Sequence, residues 1–236
     1  MLVSMVLLSA ITAGMVACSK TRNEESPRTR QERIATNFTS IELRTNADIY
    51  YRQGGLTSIE VEAPQYMIEQ VETIIASGRL TIQCKNGYNY SNHESIRVYI
   101  TAPDVSSFAI SSSGSIFFLN AVHKEVLTLY SNGSGDIAMK DVTVRNLEVY
   151  ATGAGSIKAE TGNTVSETVK TSGSGDINLS AITAQTVTAS NFAAGTIQVK
   201  ATVYLKAKIE GSGSIFYKGY PDLSTQISGS GQLVHY

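Results

Sequence analysis

Between residues 108 and 235 apolar and polar positions alternate in short runs that restart about every twenty residues. Each restart carries the same phrase, a small residue and a glycine followed two places on by isoleucine or leucine. The copies are SSSGSI (Ser111–Ile116), NGSGDI (Asn132–Ile137), TGAGSI (Thr152–Ile157), SGSGDI (Ser172–Ile177), FAAGTI (Phe192–Ile197), EGSGSI (Glu210–Ile215) and SGSGQL (Ser228–Leu233). Aligned on Gly114, Gly135, Gly155, Gly175, Gly195, Gly213 and Gly231, the steps are 21, 20, 20, 20, 18 and 18 residues. A fixed period near twenty predicts a solenoid, in which each repeat is one coil that buries its apolar face only against its neighbours.

The columns of this alignment say which side chains point inward. Two places after the glycine stand Ile116, Ile137, Ile157, Ile177, Ile197, Ile215 and Leu233, and four places after it Phe118, Met139, Ala159, Leu179, Val199, Tyr217 and His235. Six places before it stand Phe108, Leu129, Val149, Val169, Ala189, Ala207 and Thr225. The even spacing suits one face of a strand, while Ser115, Asp136, Ser156, Asp176, Thr196, Ser214 and Gln232 fall on the other and face water. The predicted coil is a strand, a tight glycine turn, a second strand and a looser return such as KDVTVRN or KGYPDLS, with equivalent strands pairing in parallel. Glycine recurs because the turn needs a positive φ or leaves no space for a Cβ beside the next coil. The fold expected is therefore all-β, a parallel β-helix with coils of about 20 residues. A β-sandwich of hairpins is the alternative.

Residues 35–105 read as a less regular β-strand region. Ile41–Gln53, Ser58–Ala63, Arg79–Lys85 and Ser95–Thr101 alternate as strands do, and Gly54-Gly55 looks like a hairpin turn between the first two. Gln65–Ile75 suits a short helix or a strand equally. The polar stretch NGYNYSNHE (86–94) is a loop, whose Tyr88, Tyr90 and His93 are candidates for a ligand-binding tip.

Ahead of this region lies a different composition. Residues 1–17 (MLVSMVLLSAITAGMVA) form an apolar run too short to span a bilayer, with the character of a signal peptide. It runs into Cys18 through Met15-Val16-Ala17, an order that resembles the bacterial lipobox, in which the cysteine is lipidated and becomes the new N-terminus. Residues 18–34 are charged and polar, as a flexible tether would be. With Cys18 lipidated, Cys84 has no disulfide partner, and its alternating surroundings make it a packed side chain. Net charge is −1 with scattered Lys and Arg, which argues against a nucleic-acid partner and leaves the lipid as the contact with membrane.

The lipobox, the polar tether, the opening strands ending at ITAPDVSSFAISSSGSI and the repeated GSG[DS]I units resemble the family of putative auto-transporter adhesins with a head GIN domain. The likeness covers residues 35–236 as one domain, with 106–236 its glycine-turn repeats. Gly133–Gly135, Gly173–Gly175, Gly211–Gly213 and Gly229–Gly231 match the unit fully, whereas Ser112–Gly114 and Ala193–Gly195 lack its first glycine. The resemblance implies a right-handed β-helix, secreted or surface-anchored, with an adhesive role and no catalytic residues or cofactors to carry over.

The sharpest enzymatic pattern is the pair Asp136 and Asp176, two coils apart in one outward column. Two strand spacings put them ~9.6 Å apart, at the edge of the ~6.5–9.5 Å separation of inverting glycosidase carboxylates. The simpler reading is that each accepts hydrogen bonds from turn amides. His93, His123 and His235 show no metal spacing, and no nucleophile elbow or phosphate loop occurs. The expectation is a non-catalytic, lipid-anchored binding protein of the cell envelope and outer membrane, with a protein or glycan ligand. A periplasm-facing envelope or assembly factor is the second reading, and a polysaccharide-active enzyme the third. Open sheet edges at Leu233-Val234-His235-Tyr236 leave room for a homo-oligomer.

Overall fold

The computed structural model describes residues 27–85 and 95–236. The expected signal peptide, Cys18 and the expected binding tip with Tyr88, Tyr90 and His93 lie outside the described residues. The first strands are β1 (Arg28–Arg33), β2 (Ser40–Leu43), β3 (Asp48–Gln53), β4 (Ser58–Pro64), β5 (Val71–Ala76), β6 (Arg79–Cys84), β7 (Arg97–Ala102), β8 (Ser107–Ile110) and β9 (Ile116–Phe118). Longer ones follow: β10 (Ala121–Ser131), β11 (Ile137–Ala151), β12 (Ile157–Thr171), β13 (Ile177–Asn178), β14 (Ile182–Asn191) and β15 (Ile197–Ile209). The last are β16 (Ile215–Lys218), β17 (Asp222–Ile227) and β18 (Leu233–His235). The ambiguous stretch Gln65–Ile75 contains both a 3₁₀ turn at Ile68–Gln70 and most of β5.

Parallel pairing of equivalent strands stacks the coils into a β-solenoid. Ile49, Ile116, Ile137, Ile157, Ile177, Ile197, Ile215 and Leu233 form one in-register row. All but Leu233 are fully buried, and each buried side chain contributes about 1.5–3 kcal/mol only while its neighbouring coils are in place. The predicted inward columns hold until the last coil, where Thr225 and His235 are exposed.

The return segment is more regular than its sequence suggests. KDVTVRN lies wholly within β11, where Asp141–Val144 pairs with Ala121–Lys124 and Thr161–Thr164. Val142 and Val144 are buried while Thr143 and Arg145 are exposed, so this segment is a third strand face. Of the two turn explanations, close approach is the correct one. None of the aligned turn glycines has positive φ; a Cβ on Gly135, Gly155, Gly175, Gly195, Gly213 or Gly231 would overlap the carbonyl oxygen of the aligned glycine one coil before.

At FAAGTI, where the first glycine is missing, the buried side chain of Asn191 braces the turn. Its Nδ2 donates to the Gly195 carbonyl at 2.6 Å and its Oδ1 accepts from the Ala193 amide at 3.2 Å. The break in the phrase is thus repaired from inside.

Residues 35–105 are part of the same stack. β2 pairs in parallel with β6 and β8, and β3 with β7 and β9, so the coil of β2 and β3 sits between two coils that follow it in sequence. Ala47 lies beside Gly114 at the turn, which removed the glycine signal from this coil. Gly54-Gly55 does not form a hairpin, because β7 lies between β3 and β4. Two antiparallel additions cover this end: β5 on β6, and β4 on β7 followed by β1 on β4.

The tether expected through residue 34 ends earlier, since Arg28–Arg33 is strand β1. Charge explains why a run without apolar residues adheres. Glu62 is buried and receives Arg28 at 2.9 Å, Arg30 at 2.8 Å and Arg97 at 3.1 Å, and Arg30 also reaches Glu60 at 2.9 Å. Burial raises the Glu62 pKa, but hydrogen bonds from Arg28 and Arg30 with their charges outweigh it, and the net shift is downward.

Candidate binding site on the outer face

Alternation along β3, β7 and β9 sends one of two neighbouring aromatics inward and the other outward. Tyr51, Phe108 and Phe118 pack inside the stack, with ring centroids 4.6–5.4 Å apart. Tyr99, Tyr50 and Phe117 stand in register outside it. Their rings stack along the solenoid axis, at 5.2 Å between Tyr99 and Tyr50 and 5.3 Å between Tyr50 and Phe117, each pair inclined by 21°. The guanidinium of Arg30 lies 4.9 Å from the Tyr99 ring centre and closes that end by a cation–π contact.

The other end is open. The residue in register after Phe117 is Ala138, and the one after that is Lys158. A second outward ladder ends differently: Tyr130 and Tyr150 stack at 5.3 Å, and the ammonium of Lys170, on the very next coil, sits 5.7 Å from the Tyr150 ring centre. One ladder is therefore capped at once by a cation, while Phe117 is separated from Lys158 by a coil that offers only a methyl group.

A groove of about 350 Å³ opens at this gap. Tyr50, Phe117, Ala138 and the edges of Phe118, Leu119 and Met139 supply its apolar surface. Lys140, Lys158 and Glu160 supply its charges, and none of the three makes an ion pair with another described residue. Its volume falls within the ~300–1,000 Å³ range of small-ligand clefts, and its mixture of apolar wall and a few polar groups is the usual make-up of such sites.

Asp136 and Asp176 lie elsewhere, at the turns. Asp136 Oδ1 accepts from the Ser156 amide at 2.7 Å and Asp176 Oδ1 from the Thr196 amide at 3.0 Å. Ser115 and Ser214 hydroxyls accept from the Asp136 and Gln232 amides in the same manner, and Asp48, which the sequence columns missed, accepts from Ser115. Burial raises the Asp48 pKa despite that hydrogen bond and the nearby Arg97. The column is a seam joining one turn to the next, and it does not converge with the groove.

His235 Nε2 meets the Gly219 carbonyl at 2.9 Å and packs against Tyr217 and Tyr220, and Cys84 lies 3.3 Å from the Thr45 hydroxyl. Among the described residues no three His, Cys, Asp or Glu side chains cluster as metal ligands would. The ladder escaped the sequence columns because its members come from coils placed out of chain order. The adjacent aromatics Tyr50-Tyr51 and Phe117-Phe118, one facing in and one out, were its only local signal.

Stacked parallel coils with glycine turns, covered at one end by antiparallel strands, define the class as a β-solenoid. The family model described as "Putative auto-transporter adhesin, head GIN domain" matches residues 37–221, and the chain belongs to that family. No curated protein matches it significantly. Among solved structures it is similar to a putative adhesin from Bacteroides fragilis, with 24% identity, TM-score 0.85, and coverage of 89% of this chain and 97% of that one. A putative adhesin from Parabacteroides merdae gives 18% identity and TM-score 0.73 over 90% and 97% of the two chains. A putative lipid binding protein from Parabacteroides distasonis gives 21% identity and TM-score 0.71 over 90% and 98%. At these identities the likeness concerns the fold.

Proposed function

We propose that this protein is an adhesin-like binding protein of the bacterial cell envelope, tethered by a lipid on Cys18 and acting by holding a ligand against its outer face. One observation carries the reading: the outward ladder of Tyr99, Tyr50 and Phe117 ends in an open groove with Lys140, Lys158 and Glu160 at its rim. These half-buried rings present an aromatic face to the groove, the kind of surface on which a ligand can be held. Membership of an adhesin family supports the same role, and the Met15–Cys18 sequence supports the anchor.

The test compares cells carrying the gene, a deletion strain and a Cys18→Ala strain. Deletion is expected to reduce attachment to host glycans, extracellular matrix or other bacteria, and Cys18→Ala to release the protein from the membrane fraction. Equal attachment by wild-type and deletion strains across all three surfaces would overturn the adhesive role. Protease treatment of intact cells places the protein outside the outer membrane if it is cleaved, and facing the periplasm if it is spared.

A further inference from the structure

We infer that the gap over Ala138 is a slot for one pyranose ring of a glycan, seated between the open face of Phe117 and the side chain of Lys158. The inference deepens the binding role above and rests on it.

The geometry begins with the strand spacing. Phe117, Ala138 and Lys158 occupy successive in-register positions, so the outer two are about 9.6 Å apart along the axis. A ring above Ala138 lies about 4.8 Å from each, close to the 5.2–5.3 Å centroid separations within the ladder itself. The slot is thus one ring thick and continues a stack that the protein has already begun. Neither end of the two aromatic ladders that carries a cation resembles it, since Arg30 covers Tyr99 and Lys170 covers Tyr150.

The chemistry of the walls selects the ring. One face of a pyranose is a patch of C–H bonds, which rests on the electron-rich face of an aromatic ring such as Phe117. The methylene stem of Lys158 covers the opposite face while its ammonium stays at the edge. Ring hydroxyls both donate and accept, and the rim offers a carboxylate acceptor in Glu160 and ammonium donors in Lys140 and Lys158, none of them engaged in an ion pair with a described residue. A purely aromatic ligand would leave those charges unused, and an acyl chain would leave them unpaired beside hydrocarbon.

Substitution of Ala138 makes the test specific. In Ala138→Phe the new ring extends the stack beyond Phe117 and fills the slot, and Phe216 farther along the same outward row shows that a phenylalanine is accommodated there with the coil intact. The purified full chain, Ala138→Phe and Phe117→Ala are titrated with maltohexaose, cellohexaose, chitohexaose and hyaluronan hexasaccharide, followed by saturation-transfer NMR and calorimetry. Binding of at least one oligosaccharide is expected, abolished by Ala138→Phe and weakened about tenfold by Phe117→Ala, with unfolding temperatures of Ala138→Phe and wild type alike. Undiminished binding by Ala138→Phe would overturn the slot. No binding by any of the four at millimolar concentration, or binding instead to phosphatidylethanolamine–phosphatidylglycerol vesicles that Ala138→Phe abolishes, would overturn the sugar. Attachment of Ala138→Phe cells separates the two levels: if they adhere normally while deletion cells do not, the slot fails and the adhesive role stands.

Discussion

Asp136 accepts a hydrogen bond from the backbone amide of Ser156, one coil farther on, at 2.7 Å. Asp176 stands in the same relation to Thr196, so both carboxylates are occupied in joining turns. Asp136→Ala and Asp176→Ala are each expected to cost about 1 kcal/mol, the worth of one such bond. Thermal unfolding checks the cost, and glycan titration of the same variants is expected to match wild type. Loss of oligosaccharide binding with unchanged stability would return these residues to a functional role.

The turn glycines allow a harsher contrast within one triplet. Gly155→Ala places a methyl group against the Gly135 carbonyl, backbone that has nowhere to move, and at least about 1–3 kcal/mol of stability is expected to be lost. Ala154→Ser, one residue away and exposed, copies what Ser134 and Ser174 already do and is expected to be silent. Denaturant titration of the pair decides the matter, and an unchanged midpoint for Gly155→Ala would contradict the close approach.

Glu167 is the one carboxylate in an aliphatic row. It pairs in register with Leu147 and Val187, is fully buried, and neither of its oxygens has a hydrogen-bond partner among the described residues. Burial pushes its pKa up from 4.5 to about 8. Because the folded-state value is the higher one, the folded chain holds the proton more tightly than the unfolded chain. The contribution of Glu167 is therefore most favourable below about pH 4.5, falls by up to ~1.4 kcal/mol per pH unit as pH rises towards 8, and flattens above it. Glu167→Leu is expected to unfold at a higher temperature at pH 8 and to remove this component of the slope. Unfolding temperatures from pH 5 to 9 compare the two, and a wild type more stable than Glu167→Leu at pH 8 would contradict the prediction.

Glu62 works in the opposite direction. Its pKa is lowered, so the stability it lends through Arg28, Arg30 and Arg97 is present above the ordinary carboxylate value and is lost as pH falls through the lowered one. Glu62→Gln is expected to loosen β1 at neutral pH as strong acid does in wild type. Hydrogen exchange of the Arg28–Arg33 amides reads both, and unchanged protection in Glu62→Gln would place the hold of β1 elsewhere.

The repeats were legible because one steric demand, no Cβ at the turn, is imposed again on every coil, and the isoleucine row follows it at fixed distance. Where that demand is relaxed the text falls silent. Ala47 hides the coil of β2 and β3, and β1 has no apolar residue to announce it, only arginines matched to Glu60 and Glu62 across the pair. KDVTVRN reads as a looser return because its charges stand outside a strand whose valines are inside. The groove was hidden for a different reason. Phe117 meets Tyr50 and Ala138 only through pairing between coils, and no periodicity within a segment encodes which coil lies beside which.

The position of β2 and β3 between β6 and β7 on one side and β8 and β9 on the other also sets a timetable. As the chain emerges from a ribosome or an export channel, these two strands have no complete neighbouring coil until residue 102 is out and lack the second until residue 118 is out. Later coils each dock on one already formed, as β12 docks on β11. The opening third thus assembles through distant partners and the remainder grows by local addition, which makes the former the slow step and the latter the fast one. Shortening the chain from its far end sheds coils one at a time, whereas excising Ser40–Gln53 parts the stack in two.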